Sequence, residues 1–169
     1  FRERSVLPRA VPRWQRRAVK VLALTCYDVS IPLRLAFRHT LAERKQSRNL
    51  LVRAELDNAV TGYGEGVPVR YVTGETIETA IAAIREYYFP TVRERTFSSY
   101  EDIGRWLARL APVVSSDICH TSAKCAFELA LLDAFGHAFG QPLAALGKLI
   151  PMPAPAGSRR KPPAVRRVK

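Results

Sequence analysis

Cysteine, methionine and long apolar runs are scarce in this 169-residue chain. The three cysteines are an odd number scattered through apolar segments, which favours reduced core thiols over a disulfide framework (Cys26, Cys119 and Cys125). No apolar run reaches the roughly 18 residues that a membrane span needs, and the arginine-rich start lacks the apolar segment of a secretory signal. We therefore expect a cytoplasmic protein. Position 1 is Phe1 and the only methionine is Met152, so we expect the amino terminus to be a fragment end or an upstream in-frame translation.

The net charge of +12 lies at the two ends of the chain. Residues 1–20 carry seven basic residues and one acid, and residues 158–169 carry six basic residues and no acid, so each end has a net charge of +6. The interval between them carries equal numbers of basic and acidic residues. A nucleic-acid-binding domain is expected to carry its basic stripe on the fold itself. The pattern therefore argues against specific nucleic-acid binding, and leaves open a noncatalytic interaction or nucleic-acid-binding protein that uses basic tails.

Alternating β-forming residues predict an antiparallel meander of three strands in the first part of the chain. A polar and basic interval, Leu33 to Ser47, separates the first two strands and is predicted to be a long loop. The predicted strands are residues 19–31, ending before Pro32, residues 49–56, and residues 60–65, the last two joined by a tight turn at Asp57-Asn58-Ala59.

Three helices are predicted to follow the strands, which gives an α+β fold, a three-stranded antiparallel meander followed by a helical bundle. The first runs from Thr73-Gly74-Glu75 to Tyr88 and is closed by Phe89-Pro90. The second begins at an S-x-x-E capping box, Ser98 to Glu101. The third and longest ends at Phe139, with Gly140 as its stop signal. It carries a ridge of phenylalanines beside a ridge of alanines, which allows another element to pack closely (Phe127, Leu131, Phe135 and Phe139; Ala126, Ala130, Ala134 and Ala138).

Glycines at every second position mark the end of the third strand. Gly62, Gly64 and Gly66 lie on one face of an extended segment, so a neighbour can approach the backbone closely there. The stretch GYGEGVPVRYVTGET and the later CAFELALLDAFGHAFGQPLAALGK resemble the N-terminal capping domain of the enolase superfamily. The resemblance is to the mandelate racemase and muconate lactonizing branch, and is closest to its dipeptide epimerase-like members. It covers about Val19 to Gly147.

This resemblance implies a Mg²⁺-dependent epimerase or racemase that acts at the carbon α to a carboxylate, on a dipeptide or amino-acid derivative. Cycloisomerases and dehydratases of the family share the cap, so the substrate is not fixed. The catalytic lysines and metal ligands of the family lie in a (β/α) barrel, and we expect that the sequence after Lys148 does not continue into it. We therefore expect no catalytic or metal-binding residue here, a chain truncated before the barrel by a frameshift or gene-prediction artefact, and no activity from the chain alone. A third hypothesis is a nonfunctional fragment whose alanine and phenylalanine ridges, exposed without the barrel, promote aggregation.

The domain organisation follows from the same resemblance. We expect a basic disordered lead over residues 1–17, a capping domain over 18–115, a helix leading into the barrel over 116–148, and a disordered tail over 149–169 that is rich in proline and arginine. The implied partner is the barrel, in cis in a full-length protein; oligomerisation is compatible with this organisation, and a membrane partner is not expected.

In the family, the cap contacts the substrate through the loop between strands one and two and the loop after strand three. These loops correspond to Ala36–Ser47 and Pro68–Gly74 in this sequence. They supply five candidate substrate-binding residues, whose cationic members could neutralise a substrate carboxylate: Arg38, His39, Arg44, Arg70 and Tyr71. Basic loop residues are also common as solvated side chains, so this alternative stays open.

Other reactive residues have structural interpretations that weigh more than the catalytic ones. Glu65 is interpreted as a hydrogen-bonding structural acid, and Asp133 and His137, spaced i, i+4, as a pair on a helix surface. The segment Cys119-His120 with Cys125 only vaguely suggests zinc, because a structural zinc site needs four ligands. No P-loop, dinucleotide-binding fingerprint or Ser-His-Asp arrangement is readable.

Overall fold

The computed structural model describes residues 18–39 and 42–149, and its larger sheet has four strands in the order β3-β2-β1-β4. All neighbouring strands are antiparallel. The predicted three-stranded meander and the α+β class are therefore confirmed, and the short β4 adds a pair to the β1 edge. The strands are β1 (Val19–His39), β2 (Ala42–Leu56), β3 (Thr61–Gly66) and β4 (Thr96–Phe97).

The turn between β2 and β3 lies where the sequence predicts it. The Leu56 N–H donates to the Val60 carbonyl over 2.8 Å, and Ala59 has a φ of 63°. Asn58 supports the turn through its side-chain oxygen, which accepts from the Val60 N–H at 3.3 Å. Asparagine stabilises turns in this way because its short side chain reaches its own backbone two residues on.

The prediction of a long loop at residues 33–47 is wrong, because all the described residues of this interval belong to the strands β1 and β2. β1 continues through Pro32 to His39, and β2 begins at Ala42 instead of Asn49. β4 pairs only with Val19 and Lys20. Within the described residues, the remainder of β1 is thus an edge strand on that side, where proline is tolerated because its missing N–H has no ladder bond to make.

Six helices accompany the strands in the described ranges, and a second, two-stranded sheet lies before the longest helix. The helices are α1 (Arg70–Thr73), α2 (Ile77–Ala83), α3 (Phe89–Arg93), α4 (Tyr100–Leu107), α5 (Thr121–Phe139) and α6 (Leu146–Leu149). A π-helical turn, Ile84–Tyr88, joins α2 to α3, and a 3-10 turn, Leu143–Ala145, precedes α6. The small sheet pairs β5 (Val114–Ser115) with β6 (Ile118–Cys119).

Two predicted helix boundaries are displaced. The first long helix begins after Thr76, whose side chain accepts from the Thr79 N–H in a reciprocal capping box, and not at Thr73-Gly74-Glu75. It also continues past Phe89-Pro90, because the π turn shifts the hydrogen-bond register immediately before the proline, with the Phe89 N–H donating to the Ile84 carbonyl.

The predicted capping box of the second helix is one residue early. Ser99, not Ser98, caps α4, and its hydroxyl accepts from the Asp102 N–H at 3.1 Å. Asp102 in turn accepts from the Ser98 N–H at 3.2 Å. The predicted end of α5 is confirmed, since Phe139 is its last residue and Gly140 follows with a φ of 64°.

The glycines of β3 lie directly against α5. A β-carbon placed on Gly62 would lie 2.0 Å from the Ala134 nitrogen, and one on Gly64 would lie 2.1 Å from the Ala126 carbonyl oxygen. On Gly66 it would lie 2.3 Å from the Ser122 carbonyl oxygen. Helix backbone therefore occupies the space that side chains on this strand face would need, and the predicted close approach is confirmed.

The alanine and phenylalanine ridges of α5 are both inside the domain, so the expectation that they are exposed is wrong. The alanine ridge packs against the glycine face of β3, and Phe127 and Phe135 are fully buried. The Phe127 ring stacks on Tyr88 at a centroid separation of 5.4 Å, and the Phe135 ring meets Phe97 edge-on at 5.2 Å. The two ridges let α5 contact the sheet and the other helices at once, which places it at the centre of the core.

Candidate functional site

The segment after β3, residues 67–74, leaves the sheet beside α5 and presents its middle to solvent. Pro68 and Val69 are buried, and the short helix α1 follows with Arg70, Tyr71 and Val72 exposed. Gly74 ends α1 in the left-handed region at a φ of 78°, a conformation that favours glycine. We call residues 67–74 the capping loop.

Both ends of the capping loop are fixed to the first turn of α5. The Ser122 hydroxyl donates to the Val67 carbonyl at 3.3 Å. At the other end, the Glu75 carboxylate accepts from the Ser122 N–H at 2.9 Å and from the Ala123 N–H at 3.0 Å. Glu75 has no exposed surface, so its charge is compensated by these free N–H groups and by the positive end of the helix dipole.

His120 completes this buried cluster. The residue is 3% exposed, and its Nδ1 lies 3.8 Å from a Glu75 carboxylate oxygen, which is too far for a hydrogen bond. This nitrogen has no hydrogen-bond partner among the described residues. Its carbonyl accepts from the Tyr88 hydroxyl at 3.2 Å, and that hydroxyl accepts from the Val113 N–H at 2.8 Å. Burial raises the pKa of Tyr88, and the hydrogen bond from the Val113 N–H offsets part of this increase. The cluster thus ties the capping loop, α5 and the segment after α4 together.

Sequence reasoning missed Glu75 as a member of this cluster. It placed Glu75 in the first turn of its own helix, whereas the carboxylate caps α5, 47 residues further along the chain. A Gly-Glu-Thr step before a helix fits either role, so no local signal distinguishes them.

The five predicted substrate-binding residues fall into two groups. Arg70 and Tyr71 are exposed on the capping loop, with Tyr71 at 44% exposure. Arg38, His39 and Arg44 belong to the far end of the β1–β2 hairpin, where Phe37 pairs with Arg44 and His39 with Ala42. Their side chains lie outside the part of the chain that the structure describes, so their convergence with Arg70 and Tyr71 stays a prediction.

The hairpin and the capping loop nevertheless leave the same end of the sheet. β3 ends where Gly66 pairs with Leu50, and the hairpin extends beyond that pair as far as the pair of His39 with Ala42. The two segments expected to contact a substrate are therefore on the same side of the domain.

The i, i+4 pair on α5 is a structural contact, in agreement with its interpretation from the sequence. Asp133 accepts from the Tyr63 N–H at 2.9 Å, and the His137 ring nitrogen Nδ1 lies 3.3 Å from the Thr61 carbonyl. Both contacts satisfy backbone groups on β3, an edge strand of the sheet. Glu65 is also a structural acid, since its carboxylate accepts from the Asn49 side chain.

The cysteines and His120 do not form a metal site in the structure. Within residues 18–39 and 42–149, no three His, Cys, Asp or Glu side chains come together in a way that could hold a metal ion. His120 faces Glu75, and the prediction of core thiols is wrong for Cys119 and Cys125, which are both exposed. Partial burial still raises the pKa of the Cys125 thiol, and the neighbouring Glu128 adds to the effect. Among the helices described, none is long and apolar enough to cross a membrane.

Comparisons with known proteins agree on one family. Residues 21–147 match the family described as mandelate racemase / muconate lactonizing enzyme, N-terminal domain. The L-Ala-D/L-Glu epimerase of Bacillus subtilis is 26% identical over 125 residues, which are 74% of this chain and 32% of that enzyme. The N-succinyl-L-Arg/Lys racemase of Bacillus cereus is 27% identical, again over 74% of this chain and 32% of the relative.

A solved structure shows the same correspondence. The dipeptide epimerase from Methylococcus capsulatus, complexed with Mg and the dipeptide L-Arg-D-Lys, superimposes with a TM-score of 0.58 at 25% identity. The match covers 75% of this chain and 34% of that one. The chain thus spans about a third of the length of the relatives that it matches.

Proposed function

We propose that this chain, which belongs to the mandelate racemase / muconate lactonizing enzyme family through that family's N-terminal domain, caps the active site of an isomerase. The reaction we propose is epimerisation or racemisation at the carbon α to a carboxylate, in a dipeptide or amino-acid derivative. The catalytic groups would come from a (β/α) barrel, in cis in a longer protein. The domain described here would select the substrate and exclude water.

The observation that carries this proposal is the fixed capping loop. A loop that selects substrate must hold its contact residues in place, because each misplaced contact loses binding energy. Val67 and Glu75 hold the two ends of the loop on α5, while Arg70 and Tyr71 face solvent. The arrangement provides a rigid base with exposed recognition groups.

The charges of the candidate residues favour a substrate with a carboxylate away from the reacting carbon. Arg70 offers a guanidinium, whose planar donors match a carboxylate in a bidentate geometry. Arg38 and Arg44 would add two more if the hairpin closes over the same ligand. We therefore expect a dipeptide with an acidic residue to be preferred over one with a neutral residue.

The residues described here do not offer a site for the Mg²⁺ that the family implies, since they contain no cluster of three candidate ligands. We propose that this ion, which stabilises an enediolate when bound, belongs with the barrel. This chain would then contribute binding and shielding only.

A loop exchange tests the proposed role directly. The loop that follows the third strand of the Bacillus subtilis epimerase is replaced by residues 67–74 of this chain, and kcat/KM is measured for L-Ala-L-Glu and for L-Ala-L-Gln. We expect the change Arg70→Gln within the exchanged loop to lower the preference for the acidic dipeptide by about fivefold, since a partly exposed charge pair contributes about 1 kcal/mol.

The matched control is Val72→Thr, a nearly isosteric change on the same exposed turn. An unchanged preference in the Arg70→Gln loop would contradict the proposed role of this loop in selecting substrate. Separately, the 169-residue chain with Mg²⁺ should not exchange the α-proton of L-Ala-L-Glu for deuterium. Exchange above the buffer rate would show that the chemistry does not depend on a barrel.

The alternative function, an interaction or nucleic-acid-binding protein that uses basic tails, rests on residues 1–17 and 150–169. Those residues lie outside the described part of the chain, so that hypothesis stays a prediction.

A further inference from the structure

A polar cleft lies between β4 and α4, at the β4 edge of the larger sheet. Its volume is about 560 Å³. Seven residues line it: Arg95, Thr96, Phe97, Asp102, Arg105, Trp106 and Arg109. We call it the arginine cleft. The capping loop follows β3 at the opposite edge of the same sheet, so the two sites are separate.

Arg95 is held in a defined position. Its Nε donates to the Thr91 carbonyl at 3.0 Å, and its guanidinium carbon lies 5.8 Å from the centre of the Trp106 ring. The tryptophan is supported in turn by Phe97 at 5.6 Å. A cation–π contact together with a hydrogen bond leaves the terminal amino groups of Arg95 available on a fixed base.

The other charges of the cleft leave it with an excess of positive charge. Arg105 is paired with Glu101 at 3.2 Å, outside the lining. Asp102 is the only carboxylate among the lining residues, and it is oriented by a hydrogen bond that it accepts from the Ser98 N–H. Arg109 has no ion pair or side-chain hydrogen bond within the described residues. Cationic side chains gathered in a concave site attract an anion, because such a site concentrates the field.

A further cation lies close to the cleft. Lys20 pairs with Thr96 across the β1–β4 ladder, and directly opposite residues have side chains on the same face of a sheet. The hydroxyl of Thr96 is a lining group and can donate to an anion bound there.

We propose that the arginine cleft binds a phosphate-bearing small molecule, with Arg95 and Arg109 as the groups that hold the phosphate. The guanidinium geometry matches phosphate oxygens in paired hydrogen bonds. The volume lies within the range of small-molecule sites, so the cleft has room for a ligand that carries an organic part or a second phosphate.

The first test is an NMR titration of the full 169-residue chain with inorganic phosphate and with pyrophosphate. We expect saturable shifts at the backbone amides of Arg95, Thr96 and Arg109 and at the indole N–H of Trp106. Pyrophosphate should bind more tightly than phosphate. Shifts confined to residues outside the cleft would overturn the proposal, because they would assign anion binding to the basic ends of the chain.

The second test compares two charge-matched double variants. Arg95→Gln/Arg109→Gln removes two cleft arginines, and Arg85→Gln/Arg93→Gln removes two arginines that pair with Glu86 and Glu94 elsewhere. The cleft variant should bind pyrophosphate at least about tenfold more weakly, equivalent to about 1.4 kcal/mol, while the control should stay within about twofold of the wild type. Equal loss in both variants would overturn the proposal.

Arg109→Gln alone guards against misfolding of the double variant, since the Arg109 side chain has no hydrogen bond or ion pair among the described residues. It should retain the wild-type circular dichroism spectrum and bind pyrophosphate about threefold more weakly, a loss typical of one exposed charge pair. Wild-type affinity in this folded variant would exclude Arg109 from the site and overturn its assignment.

Discussion

Replacing Gly64 by alanine tests whether the contact between β3 and α5 organises the domain. The new β-carbon would lie 2.1 Å from the Ala126 carbonyl oxygen and 2.3 Å from the Ala130 nitrogen. Both obstacles are helix backbone, which cannot rotate away as a flexible side chain can. To restore ordinary contact at 3.4 Å, the helix would have to retreat from the strand by about 1.3 Å.

Moving the helix by this distance would also disturb contacts beyond the substituted residue. α5 also lies against Gly62 and Gly66, and its Asp133 accepts from the Tyr63 N–H. Overpacking of a core costs typically 1–3 kcal/mol, and an obstacle made of backbone places Gly64→Ala at or above the upper end of that range. We expect a loss of about 3 kcal/mol in the free energy of unfolding.

The measurement is urea denaturation followed by tryptophan fluorescence and circular dichroism, with Gly147→Ala as the matched control. A β-carbon on Gly147 meets nothing within 4 Å, so the same chemical change should be neutral there or stabilise α6 by up to about 1 kcal/mol. A Gly64→Ala protein within about 0.5 kcal/mol of the wild type would refute the close-packing argument.

Two further predictions concern side chains on or against α5. Glu75→Gln should lower the free energy of unfolding by about 2 kcal/mol, because the amide nitrogen would face one of the two N–H groups, of Ser122 and Ala123, that now donate to the carboxylate. The exposed control change Glu78→Gln should cost less than about 1 kcal/mol in the same urea titration. Equal losses in the two variants would contradict the capping role of Glu75. The Cys125 thiol should react with iodoacetamide with a pH midpoint above that of an ordinary cysteine, because burial and Glu128 raise its pKa. In a Cys26→Ser/Cys119→Ser protein, a midpoint below that of an unstructured cysteine peptide would show that the positive Lys124 outweighs them.

The sequence predicts the elements of this fold whose signals are local. Gly140 marks the end of α5 because glycine readily adopts the left-handed conformation found there, and Asp57-Asn58 marks the β2–β3 turn because the Asn58 side chain accepts from the Val60 N–H. The alternating glycines indicate a close neighbour because they lack a side chain. They do not reveal that this neighbour is α5, whose alanine ridge lies some 70 residues away.

The errors arise where the surroundings of a residue, and not its own preference, decide the local structure. Pro32 normally ends a strand, but an edge position removes the reason for it to do so. Pro90 normally ends a helix, but a π turn just before it absorbs the register change. Glu75 fits a first-turn acid, yet its carboxylate is used by another helix. In each case the preference of the residue is unchanged, and its surroundings decide the outcome: an edge position in the sheet for Pro32, a local π turn for Pro90 and a distant helix for Glu75.

The same distant partner links stability to the proposed function. α5 contacts the glycine face of β3 along its length, and its first turn holds both ends of the capping loop through Ser122 and Glu75. A shift of α5 away from β3 must therefore move the base on which Arg70 and Tyr71 are presented. If the proposed function holds, substitutions in the glycine face should alter substrate selection as well as the free energy of unfolding. An equally destabilising change on the β4 side of the sheet should alter stability alone.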